Sequence, residues 1–303
     1  MSQRWRAILA PRVSAQPDMA NGPMTDPHQY IVDFYSRHPI SAPHILAKLR
    51  AERGSLDGLR PQDLWPHDQD HYGGLAANDA IAAAAEIGEG TEVIDFCAGL
   101  GGPARYLAAR YGARVTGVDL NPDRVAGAAA LTAAVGLDDR VWVIEGDVTR
   151  TGMSDASADV VMSQEAFLHV PDKAAAIAEA FRLLRPGGRL CFTDWVTDGS
   201  LSDDEVDLLW RGLGAQTLQG AVAYRDMLSA AGFVVTAIDG LTAEWALVLA
   251  KRREMYTRLR EEALAANMPA GDDDFYRAYV LLVDGVTERR LGGARFTARK
   301  PLG

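Results

Sequence analysis

The sequence predicts an α/β fold built on one doubly wound parallel sheet. Two observations predict it: short β-branched runs alternate with alanine-rich runs of helical length, and prolines open several of the helical runs. Strands of roughly four to eight residues that alternate with helices of about ten to fifteen are typical of βαβ units. No internal repeat with a period of about 20–50 residues competes with this interpretation.

The predicted elements follow one another in a regular order. Strands are expected at 91–98, 113–120, 141–147, 158–164, 188–195, 234–240 and 293–300. Helical segments are expected from Pro103, from Pro122, from Pro171 to Leu184, at 200–216, at 223–233 and, as a pair, at about 243–289. Asn121 is a side-chain cap before Pro122, and proline is favoured at a first helical position.

The strands and helices are expected to form one main domain with additions. Residues 71–303 are predicted to be the sheet domain, with cap insertions at about 200–222 and 243–289. Residues 26–70 are predicted to form an N-terminal helical cap, and residues 1–25, rich in Pro, Ser, Gln and Gly, a disordered extension. If the strand order is right, the insertions lie at the edge where open α/β sheets bind ligands.

The composition excludes several functional classes. The 41 acidic residues outnumber the 31 basic ones, and this net charge of −10 argues against a nucleic-acid partner. No apolar run reaches the roughly 20 residues of a membrane span. The two cysteines, Cys97 and Cys191, lie in apolar runs and favour a reducing, cytoplasmic location without disulfides. The histidines show no metal-ligand spacing, so no metal is expected.

The sharpest local pattern is the loop after the first strand, Asp95-Phe-Cys-Ala-Gly99-Leu-Gly101-Gly-Pro103. Glycines allow the backbone to turn sharply and approach a ligand, and the helix that follows points free N–H groups at that ligand. A dinucleotide-binding loop is disfavoured because Asp95 would repel a pyrophosphate. A nicotinamide dehydrogenase is therefore a weak alternative.

Two further acids follow the next strands. Asp119 lies 20 residues beyond Gly99, the spacing at which a carboxylate meets ribose hydroxyls. Asp147 ends the third strand, where it can accept a hydrogen bond from an exocyclic amine while Val148 packs on a base. Three acids at three successive strand ends predict a nucleoside pocket that holds no phosphate.

With these residues, the segment 70–240 resembles the class I S-adenosylmethionine-dependent methyltransferases. The segments GLGGPARYLA (99–108), SQEAFLHV (163–170) and LLRPGGRLCFTDW (183–195) look like the sarcosine and dimethylglycine N-methyltransferases. The phosphoethanolamine, tocopherol and sterol methyltransferases are similar at the same segments.

The resemblance implies S-adenosylmethionine as cofactor and assigns residues to it. The implied cofactor-binding residues are Tyr72, Gly73, Asp95, Ala98, Gly99, Gly101, Asp119, Leu120, Asp147, Val148 and Gln164. In similar phosphoethanolamine methyltransferases a histidine pairs with a tyrosine from the N-terminal region, and His169 matches that histidine. Tyr30, Tyr35 and Tyr72 all remain candidates for the tyrosine, and His169 can also be a structural residue beside Pro171.

The expected function is transfer of a methyl group from S-adenosylmethionine to a small-molecule acceptor, most simply an amine nitrogen. Phe167, Trp195, Trp210 and Arg211 are candidate substrate-binding residues, although aromatic residues at such spacing can equally be core and isolated arginines can be solvated. The alternatives are C- or O-methylation of a small secondary metabolite and a non-catalytic S-adenosylmethionine-binding protein. A homodimer is left open.

Overall fold

A seven-stranded sheet organises the computed structural model, which describes residues 26–36, 40–215, 217–265 and 273–302. Its strands are β1 (Glu92–Phe96), β2 (Arg114–Asp119), β3 (Val141–Glu145), β4 (Ala158–Gln164), β5 (Leu184–Thr197), β6 (Val234–Gly240) and β7 (Leu291–Arg299). The spatial order is β3-β2-β1-β4-β5-β7-β6, with β7 antiparallel to both neighbours and the other pairs parallel. The predicted α/β class is confirmed.

Helices cover the sheet and extend beyond it. Ahead of β1 lie α1 (Pro27–Ser36), α2 (Ala42–Arg53), α3 (Pro61–Leu64) and α4 (Gly74–Ala85). Between and after the strands lie α5 (Gly102–Tyr111), α6 (Pro122–Ala134), α7 (Lys173–Leu183), α8 (Asp203–Leu213), α9 (Ala221–Ala230), α10 (Thr242–Ala265) and α11 (Asp273–Thr287). The extension predicted at 1–25 lies outside the described residues.

Several element boundaries differ from the sequence prediction by a few residues, and two of the differences have a clear local cause. Helix α7 begins at Lys173 rather than Pro171, because the Asp172 side chain caps it by accepting from the Ala175 N–H. Strand β5 begins at Leu184 rather than 188, because Leu184 pairs with Ala158 before an irregularity in the β4–β5 register. In both cases the helix cap or the strand pairing determines the boundary, rather than the nearby proline and glycine residues.

The core lies between β4, β5 and the helices on one face of the sheet. Four fully buried rings meet there, with centroid separations of 4.7–5.3 Å, from Phe167, Phe192, Tyr224 and Phe296. Each such side chain contributes about 1.5–3 kcal/mol on burial.

The insertion helices form a second apolar cluster beside the sheet. Leu209 of α8, Leu249 of α10 and Leu282 of α11 are buried in it. Helix α8 approaches α11 closely at Gly212, where a Cβ atom would lie 2.3 Å from the Asp274 carbonyl oxygen. Since β6 runs parallel to β5, helices α8 and α10 both leave the sheet at its carboxyl edge.

Within the described segments, no helix combines the length and apolarity that crossing a bilayer requires.

Candidate functional site

A cavity of about 340 Å³ opens at the carboxyl edge of the sheet. The ends of β1, β2, β3 and β4 form its floor, α1 and the segment 68–72 form one wall, and α10 and α11 form the other. The strand order reverses between β1 and β4, which is where ligands bind in such sheets. The fold therefore brings the strand-end acids and the predicted caps to one place.

Asp95 and Asp119 lie side by side on this floor. Asp119 accepts from the Gly99 N–H at 2.7 Å and from the Asn121 N–H at 2.9 Å. Asp95 is only 3% exposed, and its Oδ2 has no hydrogen-bond partner among the described residues. Burial, together with the Asp119 charge, raises the pKa of Asp95 to about 8. A cationic or hydrogen-bond-donating ligand would satisfy the pair.

The glycine loop leaves space above these acids. Gly99 has φ +56°, a left-handed conformation, and a Cβ atom there would meet nothing within 4 Å. Its flanks Ala98 and Leu100 line the cavity. Gly101 is the N-cap of α5 with φ +72° and lies behind the lining.

The third strand-end acid faces the N-terminal helix. Asp147 Oδ1 accepts from the N–H and the hydroxyl of Thr149, each at 2.8 Å. Its Oδ2 lies 3.9 Å from His28 Nδ1 of α1. The buried Val148 lines the cavity beside it, and so does Leu120 from the end of β2. This corner offers one carboxylate oxygen and an apolar surface.

Gln164, at the end of β4, supplies another unused acceptor. Its Nε2 donates to Asn78 Oδ1 at 2.7 Å, and Asn78 in turn donates to Gln69. The Gln164 Oε1 atom is buried without a partner in the described part of the chain. Tyr72 lines the cavity, whereas Gly73 lies outside the lining as the N-cap of α4.

The structure distinguishes between the candidate tyrosines. The Tyr35 hydroxyl lies 2.8 Å from His169 Nε2, and His169 Nδ1 lies 2.6 Å from the Gly214 carbonyl oxygen. A carbonyl oxygen only accepts, so Nδ1 carries the proton and Nε2 accepts from Tyr35. Burial lowers the pKa of His169 to about 4, which keeps the ring neutral. Tyr30 instead donates to the Arg211 carbonyl oxygen at 3.0 Å.

Glu165 lines the same cavity and was missed from the sequence. It accepts from the Tyr72 N–H and from the Thr193 hydroxyl, and burial raises its pKa to about 8. Its φ of +48° is uncommon for a residue other than glycine, and such backbone strain clusters at functional sites. The available signal was its position directly after β4, since acids also lie at or just after the ends of β1, β2 and β3.

Comparison with known proteins relates the sheet region to methyltransferases. The family model described as a methyltransferase domain matches residues 94–192, which span β1 to β5. A probable tocopherol O-methyltransferase of Oryza sativa subsp. japonica is 34% identical over 159 residues, 50% of this chain and 44% of that protein. Residues 94–192 of this chain are therefore similar to methyltransferase domains.

Two further comparisons extend over more of this chain. A dimethylglycine N-methyltransferase of Parasynechococcus marenigrum is 29% identical over 256 residues, 79% of this chain and 90% of that protein. A phosphoethanolamine N-methyltransferase 2 structure from Haemonchus contortus superposes with a TM-score of 0.70 at 21% identity, covering 92% of this chain and 62% of that one. At that identity the second comparison shows the fold alone. The chain covers less than half of the tocopherol O-methyltransferase relative's length.

The cavity fits S-adenosylmethionine, the cofactor that the sequence resemblance implies. The cofactor carries an ammonium group, ribose hydroxyls and an exocyclic amine, all of which donate hydrogen bonds. The buried orphan acceptors Asp95 Oδ2 and Gln164 Oε1 need such donors. The open space above Gly99 leaves room for a ligand to approach the backbone. These residues could hold the cofactor, together with Asp119 and Asp147.

Of the four predicted substrate-binding residues, one lines the cavity and three lie outside its lining. Trp195 lines the cavity and is 6% exposed. Phe167 is fully buried in the core, with its ring 4.7 Å from that of Phe192. Trp210 stacks on Tyr30 at 4.1 Å, outside the cavity lining. Arg211 forms ion pairs with Asp207 and Asp274 and also lies outside it.

Proposed function

We propose that this protein transfers the methyl group of S-adenosylmethionine to an amine nitrogen of a small acceptor. The observation that carries the proposal is the position of Glu165. This buried carboxyl group lines the same cavity as the strand-end acids and the Tyr35–His169 pair. The dimethylglycine N-methyltransferase relative supports a nitrogen acceptor, and this chain covers 90% of that protein's length.

The cofactor would be held at the β1 to β4 end of the cavity. Asp119 would bind the ribose hydroxyls, and Asp147 with Val148 the adenine. Asp95 and Gln164 would bind the methionine end through their unpartnered oxygens. The bound cofactor supplies an electrophilic methyl group, so this end of the cavity has to fix position and exclude phosphate-bearing competitors. Its three carboxyl groups do both.

Glu165 is suited to an amine acceptor. An entering amine, or the positive charge that grows on its nitrogen, favours the carboxylate form of a group whose pKa burial has raised to about 8. The carboxylate then stabilises that charge across a region shielded from water, where electrostatic interactions are stronger. Hydrogen bonds from the Tyr72 N–H and the Thr193 hydroxyl fix its orientation.

The Tyr35–His169 pair is suited to orienting the acceptor. The tyrosine hydroxyl donates to His169 Nε2, and a phenolic oxygen that donates its proton can also accept a hydrogen bond, here from an amine N–H. A histidine pKa near 4 makes direct proton removal by His169 unfavourable at neutral pH. Positioning is a sufficient role, since orientation alone can supply a large part of a displacement rate.

The caps would exclude water from the reacting groups. Helix α1 is tied to the residues just after Asp119: Asn121 donates to the Val32 carbonyl oxygen, and Arg124 donates to that of Tyr35. On the opposite side, Tyr256 of α10 and Tyr279 of α11 cover the cavity. Such enclosure keeps an activated methyl group from hydrolysis.

A C- or O-acceptor is the second candidate. The same Glu165, with its pKa near 8, could take a proton from a hydroxyl group, and the tocopherol O-methyltransferase relative favours this chemistry. An N-methyltransferase needs an acceptor with an amine nitrogen, whereas a C- or O-methyltransferase does not. The position of the methyl group in the product therefore separates the two candidates.

The test is a mass-spectrometric screen of the purified protein with S-adenosylmethionine and two acceptor pools. One pool contains glycine, sarcosine, dimethylglycine and phosphoethanolamine, and the other contains phenols and alcohols of similar size. We expect S-adenosylhomocysteine and a methylated product from the amine pool, both lost in Glu165→Gln. A product from the second pool alone would contradict the amine proposal. S-adenosylhomocysteine binding without product from either pool would favour a non-catalytic binding protein.

A further inference from the structure

The cavity extends beyond Glu165 towards the insertion helices. Arg252 of α10 and Tyr279 of α11 line this part of it. The guanidinium carbon of Arg252 lies 4.9 Å from the centre of the Tyr72 ring, a cation–π distance. The rings of Tyr256 and Phe275 lie 5.3 Å apart in an edge-to-face arrangement and complete an aromatic wall.

Arg252 differs from its neighbours in having no acidic partner. Among the described residues, no carboxylate oxygen lies within 4.0 Å of its guanidinium nitrogens. The next residue, Arg253, pairs with Asp284 at 2.6 Å. The other arginine of the cavity, Arg124, donates to the backbone carbonyl oxygens of Ile40 and Tyr35. A cation that faces a cavity without an acceptor is poised to bind an anion.

Tyr279 places a hydroxyl beside this guanidinium, where Arg252 can donate to its oxygen while its own proton stays available to a ligand. The residue is 4% exposed, and its hydroxyl has no hydrogen-bond partner in the described part of the chain. Burial raises the pKa of Tyr279, so the hydroxyl stays protonated and able to donate. Buried polar groups in native proteins nearly always have a partner, so an unpartnered one in a cavity wall points to a ligand.

These two donors belong to the acceptor end of the cavity. The electrostatic neighbours of Arg252 are Tyr72, Tyr279, Tyr256 and the carboxylate of Asp70, which forms no ion pair with it, and Glu165 also feels its charge. The Asp95 carboxyl at the other end feels Asp119 but not Arg252. Arg252 and Tyr279 therefore lie away from the acids that would hold the cofactor.

We infer that Arg252 and Tyr279 form an anion-binding subsite that holds a carboxylate or phosphate group of the methyl acceptor. The inference rests on the proposed function, because it takes the opposite end of the cavity as the cofactor site. It narrows the acceptor to molecules that carry an amine near Glu165 and an anionic group at their far end. The aromatic wall would pack against the carbon skeleton between the two.

The test measures binding of simple anions to the full chain saturated with S-adenosylhomocysteine. Isothermal titration calorimetry with inorganic phosphate and with acetate is run on the wild type, on Arg252→Met and on Arg253→Met. The methionine variants keep an apolar stem and remove the charge. Arg253 is the matched control, since its ion pair is partly exposed and such pairs contribute little.

We expect the wild type and Arg253→Met to bind one of the anions about tenfold more tightly than Arg252→Met, a difference of about 1.4 kcal/mol. Tighter binding of phosphate would indicate a phosphate-bearing acceptor, and tighter binding of acetate a carboxylate-bearing one. Tyr279→Phe should weaken the same anion about threefold, while Tyr276→Phe, whose hydroxyl already contacts Thr257 at 3.0 Å, should leave it unchanged.

Equal anion affinity in Arg252→Met, Arg253→Met and the wild type would overturn the inference, whether that affinity is measurable or absent. A loss of S-adenosylhomocysteine affinity in Arg252→Met would overturn it as well, because the arginine would then serve the cofactor carboxylate. Thermal unfolding of each variant checks that it is folded. These binding measurements need no turnover, so anion binding through Arg252 without any methylated amine would refute the proposed function and leave the subsite intact.

Discussion

The two ends of the cavity are built by different means. The end proposed for the cofactor consists of strand termini: Asp95 and Asp119 lie in the last residues of β1 and β2, and Asp147 follows β3. The end proposed for the acceptor combines Glu165, which follows β4, with side chains from helices far apart in sequence, such as Tyr35 of α1 and Arg252 of α10. The strand ends are set by sheet register, whereas the helical end depends on how the caps pack. Cofactor binding and acceptor selection should therefore respond to different substitutions.

The largest effect is expected at Glu165, on the acceptor side of this division. Glu165→Gln removes the negative charge that stabilises the amine but keeps the shape and hydrogen-bonding capacity of the side chain. We expect kcat/KM to fall about a hundredfold while the Kd of S-adenosylhomocysteine stays within about twofold of the wild type. Steady-state kinetics and calorimetry provide the two readouts. An unchanged kcat/KM would show that the Glu165 carboxylate does not stabilise the amine acceptor.

Asp119 should show the opposite pattern. Asp119→Ala deletes the acceptor for two ribose hydroxyls and releases the Gly99 N–H, and we expect cofactor binding to weaken by about 1–3 kcal/mol. Calorimetry with S-adenosylhomocysteine measures it. Asp123→Ala, an exposed acid at the start of α6, is the matched control and should bind normally. Equal affinities in the two variants would contradict the ribose assignment.

A smaller effect on turnover is expected at Tyr35. Tyr35→Phe removes the hydroxyl that contacts His169 while keeping the ring, and kcat should fall about tenfold with cofactor affinity unchanged. Tyr30→Phe removes a hydroxyl of the same helix that donates to a backbone carbonyl outside the cavity, and kcat should stay at the wild-type value. A similar loss of kcat in both variants would mean that these hydroxyls only stabilise the packing of α1 and that Tyr35 has no specific role in turnover.

The smallest effect concerns protonation of Asp95. In the free protein the Asp95 pKa is near 8, so the group is protonated at pH 7, and a cationic cofactor should favour its ionisation. Binding of S-adenosylmethionine should therefore release protons, seen as a dependence of the calorimetric enthalpy on the ionisation enthalpy of the buffer. Asp95→Asn should release fewer. The same release from both proteins would show that Asp95 stays protonated when the cofactor binds.

The same shift has a consequence for stability. Between the ordinary pKa of 3.8 and about 8, the folded state holds a proton on Asp95 that the unfolded state has lost. Stability of the free protein therefore falls as the pH rises through this window. Asp95→Asn should gain melting temperature relative to the wild type at pH 8 but not at pH 4, which thermal unfolding measures. An equal difference at both pH values would contradict the raised pKa.

The sequence predicted the strand-end half better than the helical half. The spacing of Gly99 and Asp119 is a local property of one strand-turn-helix unit, so it can be interpreted without tertiary information. The choice of Tyr35 over Tyr30 was not predictable, because both lie on α1 and only its packing decides which hydroxyl reaches His169. The sequence alone could not single out Arg252 among the arginines either, because only the packing of α10 brings its side chain to the cavity.

The aromatic residues illustrate the same difference. Phe167 and Trp195 were equally plausible as substrate-binding residues, since each lies beside a sheet strand or its end. The structure buries Phe167 against Phe192 and leaves Trp195 at the cavity wall. Glu165 was missed because it follows β4 directly after Gln164, and the resemblance drew attention to the glutamine. A search for acids after every parallel strand would have found it.

The division between the two ends is tested most directly by measuring one pair of variants together. The Kd of S-adenosylhomocysteine and the kcat/KM for an amine acceptor identified in the screen are determined for Asp119→Asn and Glu165→Gln under the same conditions. We predict that Asp119→Asn raises the Kd, whereas Glu165→Gln lowers kcat/KM and leaves the Kd unchanged. A Kd raised equally in both variants would contradict the account, because the two ends of the cavity would then form one binding site.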